Sequence, residues 1–339
     1  LASWVFLTLG LVLGMRWAYD VLGWGGYWGW DPVEVAALLP WLSATAFLHM
    51  ALLQRRKPGY QRWNLILMIL TFVLVIFGTF LTRSGVLSSV HAFAGSDLGP
   101  AMFGFTAVVS IASLGLLVYR WGDFKTKYQP EFAFSRETLT LFTNLVLLSI
   151  LAVCFLGMVY PIFSELLTGT LVTVGPAWYE RINGPLLILL LVLVGVCPLA
   201  AWSGSRLARM GKWLRWLVPL SAVVPVLAGV LGGVHHWALL LLFWLISFSV
   251  MVLFADYAMR VVALKKADAL TVTRALFAPL RRNLRHYGGM MVHLGIILMS
   301  LGIIGLEGMQ QETQRTLALG EAVDLGGYTF QFEGLETFQ

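Results

Sequence analysis

The protein has 339 residues, of which 59% are hydrophobic and only 12% are charged, and its mean hydropathy is +0.81. Soluble globular proteins carry about twice that charged fraction, so this composition excludes a soluble protein and indicates that the solvent is lipid. The formal net charge of +6 is therefore interpreted from the positions of the basic residues, and it does not indicate a nucleic-acid partner.

Apolar runs of about 20 residues predict membrane-spanning helices, and we identify nine of them along the chain. They cover Ala2–Val21, Val35–Leu53, Asn64–Leu81, Ala101–Tyr119, Leu139–Ile162, Leu186–Trp202, Trp216–Val234, Leu239–Ala255 and Gly288–Leu306. The sequence thus predicts an all-α, polytopic helical membrane protein in which residues 1–306 form a transmembrane bundle.

The basic residues are concentrated between alternate pairs of these spans. Segments 54–63, 120–136, 203–215 and 256–287 contain four, four, four and seven Lys or Arg residues, which is 19 of the 23 in the chain. Because such residues collect on the cytoplasmic side, we predict that these segments are cytoplasmic. The segments 24–34, 82–100, 163–185 and 307–339 then lie on the outer side.

The segment 307–339 differs in character from the rest of the chain. It is polar, with a Gly-Gly pair followed by the alternating TFQF stretch, which is typical of a hairpin. We expect it to be the start of a small extracytoplasmic β-rich domain. The chain begins at Leu1 inside an apolar run and stops in GLETFQ, so we expect a piece of a longer protein in which that domain is truncated.

The outer loop 24–34 reads WGGYWGWDPVE and contains the aromatic residues Trp24, Tyr27, Trp28 and Trp30. Aromatic residues do collect at membrane interfaces in general, which is one explanation. The i, i+3, i+4 spacing of the first three would also place them on one face of a short interfacial helix. The glycines would let a ligand approach the backbone, and a flat apolar ligand such as haem would suit this surface.

The acidic end of the same loop has a structural explanation. Asp31 is a good N-cap residue, Pro32 fits the first helical position, and Glu34 stands where a capping box needs a carboxylate. We therefore predict that the second span begins here.

Two histidines, His49 and His293, lie inside predicted spans, where ionisable side chains are costly and usually functional. Each is about five residues from the cytoplasmic end of its span, which at about 1.5 Å per residue is about 8 Å deep. Two neutral imidazoles at equal depth on different helices could ligate one haem iron from opposite sides. The alternative is that each is hydrogen-bonded separately to a neighbouring helix.

The other histidines lie outside the spans. His91 follows the third span on the same side as the aromatic loop, where it could ligate an exposed haem or be a solvated loop residue. Arg83, at the same membrane edge, could pair with a haem propionate or extend its side chain to the interface. We interpret His235, His236 and His286 as surface residues, with His286 as the substitute if His293 is not a ligand.

Several motifs resemble one known family. WGGYWGWDPVE followed by LPWLSATAFLH resembles the tryptophan-rich (WWD) signature of the haem-handling proteins of cytochrome c maturation. GTFLTRSGVLSSVHAF, VGPAWYERINGPLL and HYGGMMVHLGII are similar to the CcmF branch of that family, rather than to its CcsA and CcmC relatives. Together the motifs run from Trp24 to Ile297.

This resemblance implies a haem lyase of the bacterial inner (plasma) membrane. Such a protein receives haem from the chaperone CcmE outside the membrane and, with CcmH, attaches it to the CxxCH motif of an apocytochrome c. It further implies that the aromatic loop, ending at Asp31, cradles the incoming haem and that His91 is an axial ligand of that substrate. His49 and His293 match two transmembrane histidines that bind a permanent haem b. The family's second outer histidine, upstream of the loop, has no counterpart, since no His precedes His49.

Three hypotheses for the function follow. The first is the haem lyase, an enzyme that forms carbon–sulfur bonds on the outer face. The second is a haem transporter or relay that delivers haem without catalysing its attachment. The third is a secondary transporter of a small solute, which would need midplane ion sites and repeated halves that the sequence does not display. Cys154 and Cys197 form no CxxC motif, so the thiols of a lyase reaction would come from the apocytochrome.

Overall fold

The structure is a computed structural model that describes residues 1–21, 26–55, 59–83, 98–124, 135–199, 207–309, 313 and 315–334, with only the main chain at 98, 207–213 and 307. These residues form eleven α-helices. They are α1 (Ala2–Val21), α2 (Pro32–Gln54), α3 (Gln61–Arg83), α4 (Leu98–Tyr119), α5 (Arg136–Thr168), α6 (Pro176–Val196), α7 (Leu207–Ser221), α8 (Val223–Val230), α9 (Trp237–Ala267), α10 (Val272–Arg282) and α11 (Leu284–Met309).

Eight helices in the described part of the chain, α1 to α6, α9 and α11, are long and apolar enough to cross a membrane. This confirms the predicted all-α, polytopic membrane fold. The seventh of the nine predicted spans, Trp216–Val234, is instead divided between α7 and α8, whose apolar part Leu214–Val230 is shorter than a span. The break between α7 and α8 lies next to Pro219 and Pro225, because proline lacks an N–H group and its ring clashes with the preceding turn.

Local capping fixes where the helices begin and end. Asp31 is the N-cap of α2, with a capping box completed by Glu34 and with Pro32 in the first turn, as the sequence predicts. Ser135 caps α5, and Gly169 ends it in the left-handed conformation with φ of 69°, where glycine has no Cβ penalty.

The helices form two packed groups that α6 joins. In the first group α2 packs against α1, α3 and α5, and α3 packs against α4. In the second, α9 packs against α7, α8, α10 and α11. Helix α6 contacts both α5 and α9, and the largest buried core lies between α2, α3 and α5.

Close helix packing depends on small residues, as is usual where lipid supplies no hydrophobic drive between helices. A Cβ atom added at Gly78 of α3 would lie 3.2 Å from the backbone oxygen of Ala36 on α2. The absence of a side chain at position 78 therefore allows α3 to lie close to the backbone of α2 at this point.

The polar end of the chain contains one antiparallel hairpin, β1 (Ala322–Leu325) and β2 (Tyr328–Gln331), in which Val323 pairs with Phe330. Gly326 and Gly327 form its turn with φ of 60° and 83°, a conformation that glycine adopts without strain. The hairpin agrees with the predicted β character of this segment. The assignment of 307–339 to an extracytoplasmic domain stays a prediction.

Candidate functional site

The described part of the aromatic loop is held by one carboxylate. Oε2 of Glu34 accepts hydrogen bonds from the backbone N–H groups of Gly29, at 3.0 Å, and of Asp31, at 3.1 Å. The Asp31 carboxylate in turn accepts from the N–H of Val33 at 2.9 Å. Both neighbours of Trp30 are thus fixed, and Trp30 has a positive φ of 55°. Such a conformation costs a bulky residue about 1–3 kcal/mol, and it persists only where the surroundings impose it.

The aromatic side chains of this loop point to two different neighbours. Tyr27 stacks on Tyr19 of α1, with ring centroids 4.3 Å apart. Trp28 meets Trp30 edge to face at 5.9 Å, and Trp30 stacks on Tyr179 of α6 at 5.1 Å with an interplanar angle of only 3°. Trp30 therefore contacts the start of α6.

The predicted one-faced interfacial helix is absent from the described part of this loop. Residues 26–31 are non-helical, because the Glu34 carboxylate and the left-handed Trp30 impose an irregular turn in place of the i, i+4 spacing. Trp24 lies outside the described residues. Sequence reasoning also missed Tyr179, although the motif VGPAWYERINGPLL that contains it was recognised.

The remaining outer candidates are only partly described. Arg83 is the last residue of α3 and is exposed, and its place at the membrane edge stays a prediction. His91 lies outside the described residues, so its role as a ligand stays a prediction. Asp31 acts as the cap of α2 and borders the loop.

The structure brings His49 and His293 together. The ring centroids of these two residues, on α2 and α11, are 6.2 Å apart with an interplanar angle of 80°. Each side chain is partly buried. Helix α11 begins at Leu284, four residues before the predicted span, because the basic stretch before Gly288 is helical as well. The two histidines are thus neighbours in the structure, and their pairing as ligands of one haem iron stays a prediction.

The hydrogen bonds of the two imidazole rings determine which ring nitrogen carries the proton. Nδ1 of His49 lies 2.8 Å from the backbone oxygen of Thr45, and Nδ1 of His293 lies 2.7 Å from that of Gly289. A carbonyl oxygen can only accept, so each Nδ1 is the donor and each neutral Nε2 keeps its lone pair. This second contact fixes the tautomer and orientation of a ligating histidine, and in this tautomer Nε2 is the nitrogen of each ring that can act as a metal ligand.

Two histidines do not make a complete site for a free metal ion. Within the described ranges no group of three or more His, Cys, Asp or Glu side chains is placed to hold one, and zinc sites use three or four protein ligands. An iron that brings its own four porphyrin nitrogens needs only the two axial ligands. The pair therefore suits haem better than a bare ion.

The other described histidines lie elsewhere. Nε2 of His286 lies 3.4 Å from a carboxylate oxygen of Asp256 on α9. His235 and His236 are exposed before α9. The interpretation of the latter two as surface residues agrees with their exposure, whereas His286 is partly buried against α9.

Comparison with known proteins identifies the group to which the chain is similar. Residues 1–87 match the family model described as cytochrome C assembly protein. The chain is 37% identical over 339 residues to the cytochrome c-type biogenesis protein CcmF of Pseudomonas aeruginosa, covering 98% of this chain and 50% of that protein. It is 34% identical to CcmF of Escherichia coli, covering 99% of this chain and 50% of that protein.

A solved structure gives the same result. The chain superposes on a structure of the cytochrome c haem lyase CcmF with a TM-score of 0.71 and 31% sequence identity, covering 97% of this chain and 48% of that one. The chain belongs to the CcmF family. It spans about half the length of the CcmF proteins that it matches. Within the described residues, the eight apolar helices make it a multi-pass membrane protein.

Proposed function

We propose that the protein is a haem lyase of cytochrome c maturation that attaches haem to the CxxCH cysteines of apocytochrome c. The observation that carries the proposal is the His49–His293 pair, with both Nε2 atoms available, in a chain of the CcmF family. In each attachment a cysteine thiol adds across a haem vinyl group. The sulfur–carbon bond forms, the thiol hydrogen moves to the adjacent carbon, and no net oxidation occurs.

The arrangement of the histidine pair is compatible with a haem iron. The two rings lie next to each other on different helices, and the Nδ1 contacts leave Nε2 of each ring as the nitrogen that would bind a metal. The observed centroid separation is 6.2 Å. His49 and His293 would hold a permanent haem b, which when bound would supply one-electron chemistry that keeps the iron of the substrate haem ferrous.

The chain's own contribution at this site is preorganisation. The carbonyl groups of Thr45 and Gly289 hold the two imidazoles in the tautomer that can bind iron. A ligand pair held in place by its own helices loses little side-chain freedom on binding, which favours tight binding.

The outer site would position the substrate haem. Trp24, Tyr27, Trp28 and Trp30 would provide its aromatic surface, and aromatic faces suit a flat ligand. His91 would be the axial ligand of the substrate iron, and Arg83 would pair with a propionate. Holding the vinyl groups beside the incoming thiols lowers the barrier through proximity, and no side chain is assigned as a general acid or base.

The thiols would come from the partner protein. Cys154 on α5 accepts a hydrogen bond from Asn183 at 3.6 Å, and Cys197 lies 3.8 Å from Thr143. Neither cysteine forms a disulfide, and Cys154 is buried. CcmE would deliver haem and CcmH would act with the apocytochrome, on the extracytoplasmic side of the bacterial inner membrane.

The first test is the visible spectrum of the detergent-purified full-length protein, oxidised and reduced, with His49→Ala and His293→Ala. We expect a reduced b-type signal in the parent that each substitution removes, with the exposed His235→Ala as the matched control that retains it. A parent protein without haem, or a signal that survives both substitutions, would overturn the haem b assignment.

The second test separates a lyase from a haem transporter or relay. Thioether formation on an apocytochrome peptide is measured with haem already supplied on the outer side. Covalent product that depends on the protein supports the lyase. Outer haem without covalent product would replace the lyase with the relay.

A further inference from the structure

We propose that Tyr179 is a positioning residue for the tryptophan-rich loop, fixing the plane of Trp30 and so the aromatic surface that a porphyrin would meet. The part of this inference that concerns haem rests on the proposed function. The part that concerns the loop itself depends only on the contacts described below.

The first support is the stack between the two side chains. Trp30 and Tyr179 have ring centroids 5.1 Å apart and are parallel to within 3°. Tyr179 is only 3% exposed, so its ring is a fixed base and not a mobile surface group. It lies in the first part of α6, which is itself packed between α5 and α9. The stack therefore fixes the orientation of the Trp30 ring relative to the packed helices.

The second support is a slot in α5 for the tyrosine. A Cβ atom added at Gly157 would lie 2.6 Å from Oη of Tyr179 and 2.7 Å from two carbons of its ring. Such contacts do not occur between real atoms, and a buried aromatic ring has no room to yield. Only glycine at position 157 lets Tyr179 lie where it stacks on Trp30.

The third support is that Trp30 needs such a contact. Its backbone is in the left-handed region with φ of 55°, which a bulky residue keeps only under external constraint. Glu34 holds the amides on either side, while the stack on Tyr179 holds the side chain. The strained conformation of Trp30 therefore depends on both contacts, and losing either one is expected to loosen residues 26–34.

The result is a row of four rings that alternate in orientation. Trp28 meets Trp30 edge to face, Trp30 stacks on Tyr179, and Tyr179 meets Trp178 edge to face at 5.1 Å. Edge-to-face and stacked arrangements are the favourable ones for aromatic pairs. The loop and the start of α6 thereby form one aromatic surface, and Tyr179 is its buried member.

The experiment compares three variants of the full-length protein. Tyr179→Leu removes the ring, Gly157→Ala displaces it, and Tyr179→Phe keeps the ring and loses only the hydroxyl. Gly115→Ala on α4, where an added Cβ has nothing within 4 Å among the described residues, is the matched control for a glycine substitution in a membrane helix.

The first readout is hydrogen exchange of peptides spanning 26–34, which does not involve haem. We expect faster exchange of the Gly29 and Asp31 amides in Tyr179→Leu and Gly157→Ala, and parental exchange in Tyr179→Phe and Gly115→Ala. Unchanged protection in Tyr179→Leu would overturn the positioning role, whatever the fate of the lyase proposal.

The second readout is the affinity for added haem, titrated in a His49→Ala, His293→Ala background so that only the outer site responds. Loss of the stack is expected to weaken binding up to about tenfold, with Tyr179→Phe restoring the parental value. Faster exchange without a change in affinity would support the positioning of the loop by Tyr179 and would overturn the part of the inference that concerns haem. The absence of haem binding in that parent background would instead count against the proposed function.

Discussion

Tyr60 donates a hydrogen bond of 2.5 Å to Oε1 of Glu137, and both side chains are almost completely buried, at 4% and 2% exposure. Tyr60 directly precedes α3, and Glu137 lies in the first turn of α5. The bond therefore ties the turn after α2 to the neighbouring helix, on the same side of the bundle as the end of α2 that carries His49.

We predict that Tyr60→Phe lowers the free energy of unfolding by about 1–3 kcal/mol, because it removes a partner from a buried carboxylate. The measurement is thermal unfolding of the detergent-purified protein. Tyr119→Phe, at a residue that is 83% exposed, is the matched control. Equal melting temperatures for the two variants would show that the buried bond adds nothing to stability.

The contact of Gly78 with the backbone of Ala36 predicts a second loss of stability. Gly78→Val places atoms against the backbone of Ala36 on α2, and overpacking of this kind costs about 1–3 kcal/mol. Gly115→Val on α4 introduces the same side chain with no described atom within 4 Å of its Cβ. Thermal unfolding should separate the two variants, and a similar melting point for both would contradict the close packing of α2 on α3.

The Glu34 carboxylate predicts a local effect at the aromatic loop. Glu34→Ala removes the acceptor of the Gly29 and Asp31 amides, so we expect faster hydrogen exchange across residues 26–34 and about 0.5–2 kcal/mol less stability at the start of α2. Glu180→Ala changes an exposed acid near the start of α6 and should leave the exchange unaltered. Parental protection in Glu34→Ala would show that other contacts hold the loop.

The two proposed haem sites predict separable losses. His91→Ala should abolish thioether formation on an apocytochrome peptide while the reduced b-type spectrum persists, because the transmembrane pair is untouched. The control His236→Ala, at an exposed residue, should retain both thioether formation and the reduced b-type spectrum. Covalent product at the parental rate in His91→Ala would remove His91 from the outer site.

The features predicted correctly from sequence are those set by local composition. Hydropathy over 20 residues predicts the long helices, and the pattern Asp31-Pro32-Val33-Glu34 predicts the cap of α2, since both depend on neighbouring residues alone. The break between α7 and α8 was missed because an average hydropathy does not register where prolines interrupt a helix.

Relationships between distant residues were harder to predict. Equal depth in the membrane is compatible with a contact between His49 and His293. Whether two residues at one depth meet also depends on which helices are neighbours and which faces they turn to each other, and the sequence alone does not specify this. The stack of Trp30 on Tyr179 has no local signal in the sequence, since it joins a loop to α6 and depends on the space left by Gly157 in α5.

The two histidines belong to different parts of the fold, His49 to the helices centred on α2 and His293 to those centred on α9. A ligand bonded to both would act as a clamp, and its binding free energy would add to the resistance of the folded state against opening. We therefore expect the lifetime of the protein in the cell to follow the supply of haem. Proteolysis of the protein prepared with and without haem would measure this, and equal digestion rates would show that the two helix groups hold together without it.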